Sequence, residues 1–370
     1  MTTALIWDER FAWHDPGLAS TNAWVEPYPA LDRPESKRRV WSLLQASGLA
    51  RHLALTPARM ATPEELQRFH TADYIERVRR LAEAGGGETG ESARISGNGY
   101  EVARLAAGGC MAAVDAVLHG QAANAYALVR PSGHHAESDR GRGFCIFANV
   151  VLAVEQARRK HGVQRVAVID WDVHHGNGTQ AAYYADPAVL TISMHQERCY
   201  PADSGDVTEI GVGEARGTNV NIPLPPGSGD RVWRGAFERI VVPAVRAFGP
   251  DLIVVASGYD AAVGDPLGRM LCHSGTYRAL ASRTVELARE LCGGRLVVCQ
   301  EGGYSPTYAP FCAHAVIETL AGVATEVVDP WIGWYSSMGG QALLPHQVQA
   351  IDGALAAHHA LGRGAAMRAA

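Results

Sequence analysis

The chain has 370 residues, 47% of them hydrophobic and 19% charged, which suits one large α/β domain and excludes a disordered chain. A net charge of −5 leaves no basic footprint for nucleic acid, and no stretch approaches the roughly 18 apolar residues of a membrane span. Seven scattered cysteines with no CxxC pair argue against a disulfide framework or a cysteine zinc site, and for free thiols in a reducing, cytoplasmic setting.

Short apolar runs alternate with helix-compatible stretches. In chain order the expected strands are TALIW from Thr3, AYALV from Ala125, RVAVI from Arg165, AVLTIS from Ala188, LIVVAS from Leu252 and RLVVCQ from Arg295. Helical spacing falls at 100–119, 151–161, 232–247 and 275–291. Such alternation predicts a parallel sheet covered on both faces, and no linker or composition shift divides it. The glycine-rich GGGETGESARISGNG at 85–99 lacks the Lys-Ser/Thr ending of a phosphate loop and reads as a flexible rim loop. After about residue 329, WIGWYSSMGG leads into an Ala- and His-rich helical tail, and Trp331 and Trp334 would cover the body or join subunits.

Ligands of an open parallel sheet gather at the carboxyl ends of its strands. Four strands here end in polar clusters: AYALV in RPSGHHA, RVAVI in DWDVHHGNGT, LIVVAS in GYDAAVGDP and RLVVCQ in EGGYS. Burying so many ionisable groups is unfavourable unless each has a hydrogen-bond partner or a metal. Asp172 and His174 are two apart, so in extended chain they point to one side, and Asp260 approaches from a neighbouring strand end. Two carboxylates and one imidazole around zinc or a similar ion leave a position for water, the composition of a catalytic site. His134 and His135 supply a base and an acid. Asp170 and Asn177 are candidates to orient the two rings, and the ring held by the neutral amide is the better base. Tyr304, behind Gly302 and Gly303, has a hydroxyl suited to an oxyanion. An N-cap Asp172, a surface His174 and a core Tyr304 would be the ordinary alternatives, but they leave the rest of the cluster unexplained.

Together with PESKRR, GFCIFAN, TISMH and NVNIPLPPGSG, these clusters resemble the histone deacetylase family, above all its class II members and the bacterial histone deacetylase-like amidohydrolases, over about residues 7–323. The resemblance implies a single-domain arginase/deacetylase fold over 1–325, with a 326–370 extension packing on the domain or on a neighbouring subunit. It also implies hydrolysis of N-acyl amides with zinc on Asp172, His174 and Asp260. His135 would be the general base and then the acid, His134 its electrostatic support, Asp170 and Asn177 their partners, and Tyr304 the oxyanion donor. Gly143 and Phe144 fall on one wall of an acyl-lysine tunnel, and Leu267 on its rim. Potassium is implied at an inner site, formed by the main chain of Asp170, Asp172, His174 and Met194 with Ser193, and at an outer one near Tyr183, Asp186 and Val189.

Two departures narrow this expectation. Arginases hold a second metal with aspartates at positions that are Gly176 and Ala262 here. Polyamine-selective relatives carry a rim glutamate where this chain has Leu267. The expected substrate is therefore an acyl-lysine or a related small amide, with no nucleic acid or membrane partner and a homo-oligomer left open. An acetylpolyamine amidohydrolase and a non-catalytic acyl-lysine binding module are the rivals.

Overall fold

The structure, a computed structural model, describes residues 2–18, 24 and 26–366, with side chains as far as 358. Its main sheet has eight strands. In chain order they are β1 (Thr3–Ile6), β2 (Leu53–Thr56), β3 (Asn124–Ala127), β4 (Val166–Asp170), β5 (Val189–Gln196), β6 (Asn219–Leu224), β7 (Leu252–Ser257) and β8 (Leu296–Gln300). They lie in the order β6-β5-β4-β7-β8-β3-β1-β2, and every pairing is parallel.

A parallel sheet must be covered on both faces, and the period of two along each strand divides the side chains between two cores. Ala4, Ile6, Ala125, Ala127, Val166 and Val168 enter one. Leu5, Tyr126, Ala167 and Ile169 enter the other. The first core is closed by α2 (Gly99–Leu118) and α3 (Asn149–His161), after α1 (Pro34–Ala46) has joined the opposite face through Val40 and Leu44. Beyond the short α4 (Asn177–Tyr183), that opposite face is covered by the helical stretch 230–248, which contributes Trp233, Phe237 and Val245, together with α5 (Ser274–Cys292) and α6 (Ala309–Ala321). No helix among the described residues is long and apolar enough to cross a membrane.

All six expected strands form. The two that the apolar runs do not announce, β2 and β6, are the sheet edges. LALT is only partly buried, and NVNIPL carries two asparagines and Pro223, a residue tolerated where one side of a strand has no ladder to feed. The 85–99 segment departs from the expected open loop. Gly86–Glu88 pairs antiparallel with Arg94–Ser96, and Gly90–Glu91 pairs parallel with Gly141–Arg142. These ladders satisfy its backbone and fix it over the sheet's carboxyl end.

The tail forms a short helix, Ile332–Ser337, and then α7 (Pro345–Ala366), which packs along β6. Ile351 and Ala354 are buried in the core, and Trp331 stands edge-on to Tyr308 and Phe311 while Trp334 is exposed. The last four residues of the expected extension lie outside the described ones.

Candidate active site and metal centre

The four polar clusters follow β3, β4, β7 and β8, which are consecutive in the sheet as β4-β7-β8-β3. Topology alone therefore brings them to one end of it. His134, His135, Asp170, Asp172, His174, Asn177 and Asp260 are all buried.

Asp172, His174 and Asp260 have ligand-type atoms within 4.8 Å of one another. The His174 ring Nδ1 is 2.9 Å from Asp172 Oδ1 and 3.2 Å from Asp260 Oδ2. The strand-alternation argument for Asp172 and His174 needs correcting, because β4 ends at Asp170 and both residues sit in the turn beyond it. The turn is held by the His174 N–H donating to Asp172 Oδ1 at 2.9 Å. Asp260 Oδ2 is buried with no hydrogen-bond donor. Gly302 admits the pair: a Cβ there would lie 2.1 Å from Asp260 Oδ2 and 2.6 Å from Asp172 Oδ2. Two buried carboxylates converging with an imidazole, one oxygen without a hydrogen bond, fit a divalent cation, since burying such charge uncompensated is costly.

His134, Cys145 and Glu301 also lie within 4.8 Å of one another, but their chemistry fits a metal poorly. His134 Nδ1 is taken by Asp170 Oδ2 at 2.9 Å, and Glu301 Oε2 accepts the Gly133 and His134 N–H groups at 2.7 and 3.1 Å. Burial, and then Glu301, hold the Cys145 thiol well above its usual pKa, so the thiolate that a metal needs is disfavoured.

The two histidine rings lie 3.9 Å apart between centroids and have different partners. His135 Nδ1 is 2.7 Å from Asn177 Oδ1. Asn177 Nδ2 donates to Glu137 Oε1 at 2.9 Å, which fixes the amide so that its oxygen faces the ring. Burial opposes charge on both rings. For His134 the Asp172 and Asp170 carboxylates outweigh it and lift the pKa to about 10. For His135 burial wins, aided by the positive rings of His134 and His174, and the pKa falls well below the usual histidine value.

His135 and His174 line a cavity of about 240 Å³ with Gly143, Phe144, Leu267 and Tyr304. Phe144 meets the Tyr304 ring edge-on at 5.7 Å. Gly143 has φ +51°, and a Cβ on it would come within 2.6 Å of His135 and 2.7 Å of Tyr200. Burial, and then Asp260 and Asp172, raise the Tyr304 phenol well above its usual pKa, so it stays a donor.

Sequence reasoning missed Tyr200, Cys199 and Ser92, which also line the cavity. Tyr200 stands edge-on to His135 at 4.9 Å and forms the wall facing Gly143. Its only signal was an aromatic before Pro201, shortly after a strand end. Ser92 belongs to the glycine-rich 85–99 segment, whose composition reads as a flexible rim loop and names no residue for the cavity.

The residues assigned to potassium fall in two places. Asp170 and Ser193 are register partners on β4 and β5, with Met194 next in line. Tyr183, Asp186 and Val189 share one turn, through the Asp186 N–H on Tyr183 O at 3.0 Å and the Val189 N–H on Asp186 O at 3.3 Å.

Residues 31–320 match the model of the histone deacetylase domain. The chain is 50% identical over 335 residues to a histone deacetylase-like amidohydrolase of Pseudomonas aeruginosa, covering 89% of this chain and 88% of that one. It is 36% identical over 327 residues to histone deacetylase 8 of Arabidopsis thaliana, covering 87% and 85%. The crystal structure of the HDA15 HD domain superposes with a TM-score of 0.85 at 31% identity, over 99% of this chain and 96% of the other. Sheet, site and sequence agree: the chain belongs to the histone deacetylase family.

Proposed function

We propose that the chain is a zinc-dependent amidohydrolase that removes acetyl or other small acyl groups from lysine side chains or related amides, with residues 1–325 carrying the chemistry and the extension covering the β6 edge. The observation that supports it is the buried Asp172, His174 and Asp260 triad beside a cavity lined by His135 and Tyr304. Zinc held by that triad supplies a Lewis acid for the amide carbonyl and brings the pKa of water toward neutrality.

His135 takes the proton of the attacking water. Its Nδ1–H is committed to Asn177 Oδ1, which leaves Nε2 as the basic atom, and its depressed pKa keeps it neutral at pH 7. The same Nε2 then returns the proton to the departing amine. His134, cationic beside Asp170, stabilises the negative charge that grows on the acyl carbon's oxygens. Tyr304 donates its phenolic hydrogen to the former carbonyl oxygen. Phe144 and Tyr200 flank the slender methylene stem of the substrate, and Leu267 gives it an apolar rim. Potassium bound to the carbonyls near Ser193 and Met194, and near Val189, would brace the loops after β4 and before β5.

A second reading, the acetylpolyamine amidohydrolase, gains from the acidic surroundings of Tyr200. Arg142 is shared among Glu91, Glu137 and Asp203, at 2.9, 3.2 and 3.6 Å, with Arg140 beyond Glu137. Glu91 also accepts the Tyr200 hydroxyl at 3.2 Å. Three carboxylates against the two arginines leave one net negative charge beside Tyr200 for a cationic substrate, which Leu267 does not offer. The deciding experiment compares kcat/KM for acetyl-lysine peptides, acetylated polyamines and simple amides on one zinc-loaded preparation. Acyl-lysine should lead. Preference for polyamines would move the assignment to the second reading, and no turnover on any substrate would favour a binding module.

A further inference from the structure

The Tyr304 loop follows two glycines and is tied at both ends. Gly303 has φ +113°, a conformation that a side chain rarely adopts, and it follows another glycine. On one side the Gly302 N–H donates to Asp172 Oδ2 at 2.8 Å. On the other, the Tyr304 and Ser305 N–H groups both donate to Asp265 Oδ2, at 2.7 and 3.2 Å. The second oxygen of the same carboxylate, Asp265 Oδ1, accepts the N–H of Leu267 at 2.9 Å.

Asp265 is 6% exposed, and no cationic side chain reaches it within ion-pair distance among the described residues. Burial, and then the Asp260 carboxylate, push its pKa up to about 7. A carboxylate kept in such a place is held by its three N–H donors, and two of those belong to residues lining the cavity, Leu267 and Tyr304.

We infer that Asp265 is a positioning residue for the reaction: its carboxylate knots the rim loop at Leu267 to the loop of Tyr304, and so fixes the phenol against the acyl carbonyl. This rests on the hydrolytic reading above. The geometry is demanding because an amide cannot replace the carboxylate. Asparagine has one acceptor oxygen and would turn its NH₂ toward an N–H, so either the rim or the tyrosine must be released.

The test is a double-mutant cycle of Asp265→Asn and Tyr304→Phe, with zinc content measured on every variant. Asp265→Asn should keep one zinc per chain and lower kcat on an acetyl-lysine peptide by about a hundredfold, the scale of a small misplacement of a reacting group, with KM little changed. In the Tyr304→Phe background the same change should cost little more. An equal loss in both backgrounds, or a folded Asp265→Asn with full kcat, would overturn the inference. Should Asp265→Asn fail to fold, amide exchange on the unaltered protein decides: the Tyr304 and Ser305 amides should be protected, and exchange at the rate of an open loop would overturn it. A Tyr304→Phe enzyme with undiminished kcat would instead sink the mechanism while leaving the amide-protection result intact.

Discussion

Gly143 illustrates how much of the site depends on single atoms. Its left-handed φ of +51° and the 2.6 Å that a Cβ would leave to His135 make two separate demands for glycine. Tyr200 can yield by rotating, but His135 cannot move without stretching its bond to Asn177. Gly143→Ala should therefore bind zinc normally and lose about ten- to a hundredfold in kcat, since displacement of a catalytic group acts on the chemical step. Undiminished turnover would mean that the ring has more freedom than its contacts indicate. Tyr304, His134 and His135 were legible from the sequence because their chemistry is rare at a strand end. Tyr200 was not, because an aromatic in a loop looks the same whether it lines a cavity or covers a core.

Among the elements, the tail is bound into the domain by polar as well as apolar contacts. Gln341 accepts the Asp230 N–H at 2.8 Å and donates to Leu271 O at 2.7 Å, next to the segment that carries Leu267. Ile351, on the inner face of α7, is fully buried in the core of the domain. Ile351→Ala should cost about 2–5 kcal/mol in denaturant unfolding, within a single transition. A separate early transition with the main one unmoved would show the tail to be an appendage. The central strands could be read from RVAVI and LIVVAS because burial on both faces requires near-continuous apolar runs. The edges could not, since β2 and β6 are shaped by having one neighbour each, and a pattern of two asparagines and a proline carries no strand signal. The ladder joining Gly90–Glu91 to Gly141–Arg142 escaped for a related reason: two-residue pairings lie below any periodicity.

The whole molecule carries buried histidines away from the reaction, and they contribute to its response to acid. His70 packs among Phe69, Tyr74 and Phe147, and its Nε2 accepts the Ala148 N–H at 2.9 Å, so it must be neutral. Burial pushes its pKa down to about 3. The unfolded chain protonates this ring near pH 6.5 and the folded chain does not. Stability is thus unaffected by His70 above that pH and is lost as the pH falls from about 6.5 toward 3. Buried carboxylates such as Glu301, raised to about 7, run the other way, so the net curve does not isolate one group. The difference between the protein and its His70→Gln variant does, because glutamine can still accept the Ala148 N–H. Between pH 6.5 and 5.0 the unaltered protein should lose about 1.6 kcal/mol more than the variant, the slope rising toward roughly 1.4 kcal/mol per pH unit as the unfolded ring becomes fully protonated. Parallel curves would place the ring's pKa near its ordinary value.

Under the proposed function, a single metal held by the buried Asp172, His174 and Asp260 triad makes this chain a hydrolase of acyl-lysine amides. The most direct test is a titration of the chelator-stripped protein with zinc, following kcat/KM on an acetyl-lysine peptide. Activity should be absent without metal and rise to a plateau at one zinc per chain. Full turnover in the stripped protein, or a plateau requiring two equivalents, would contradict the account.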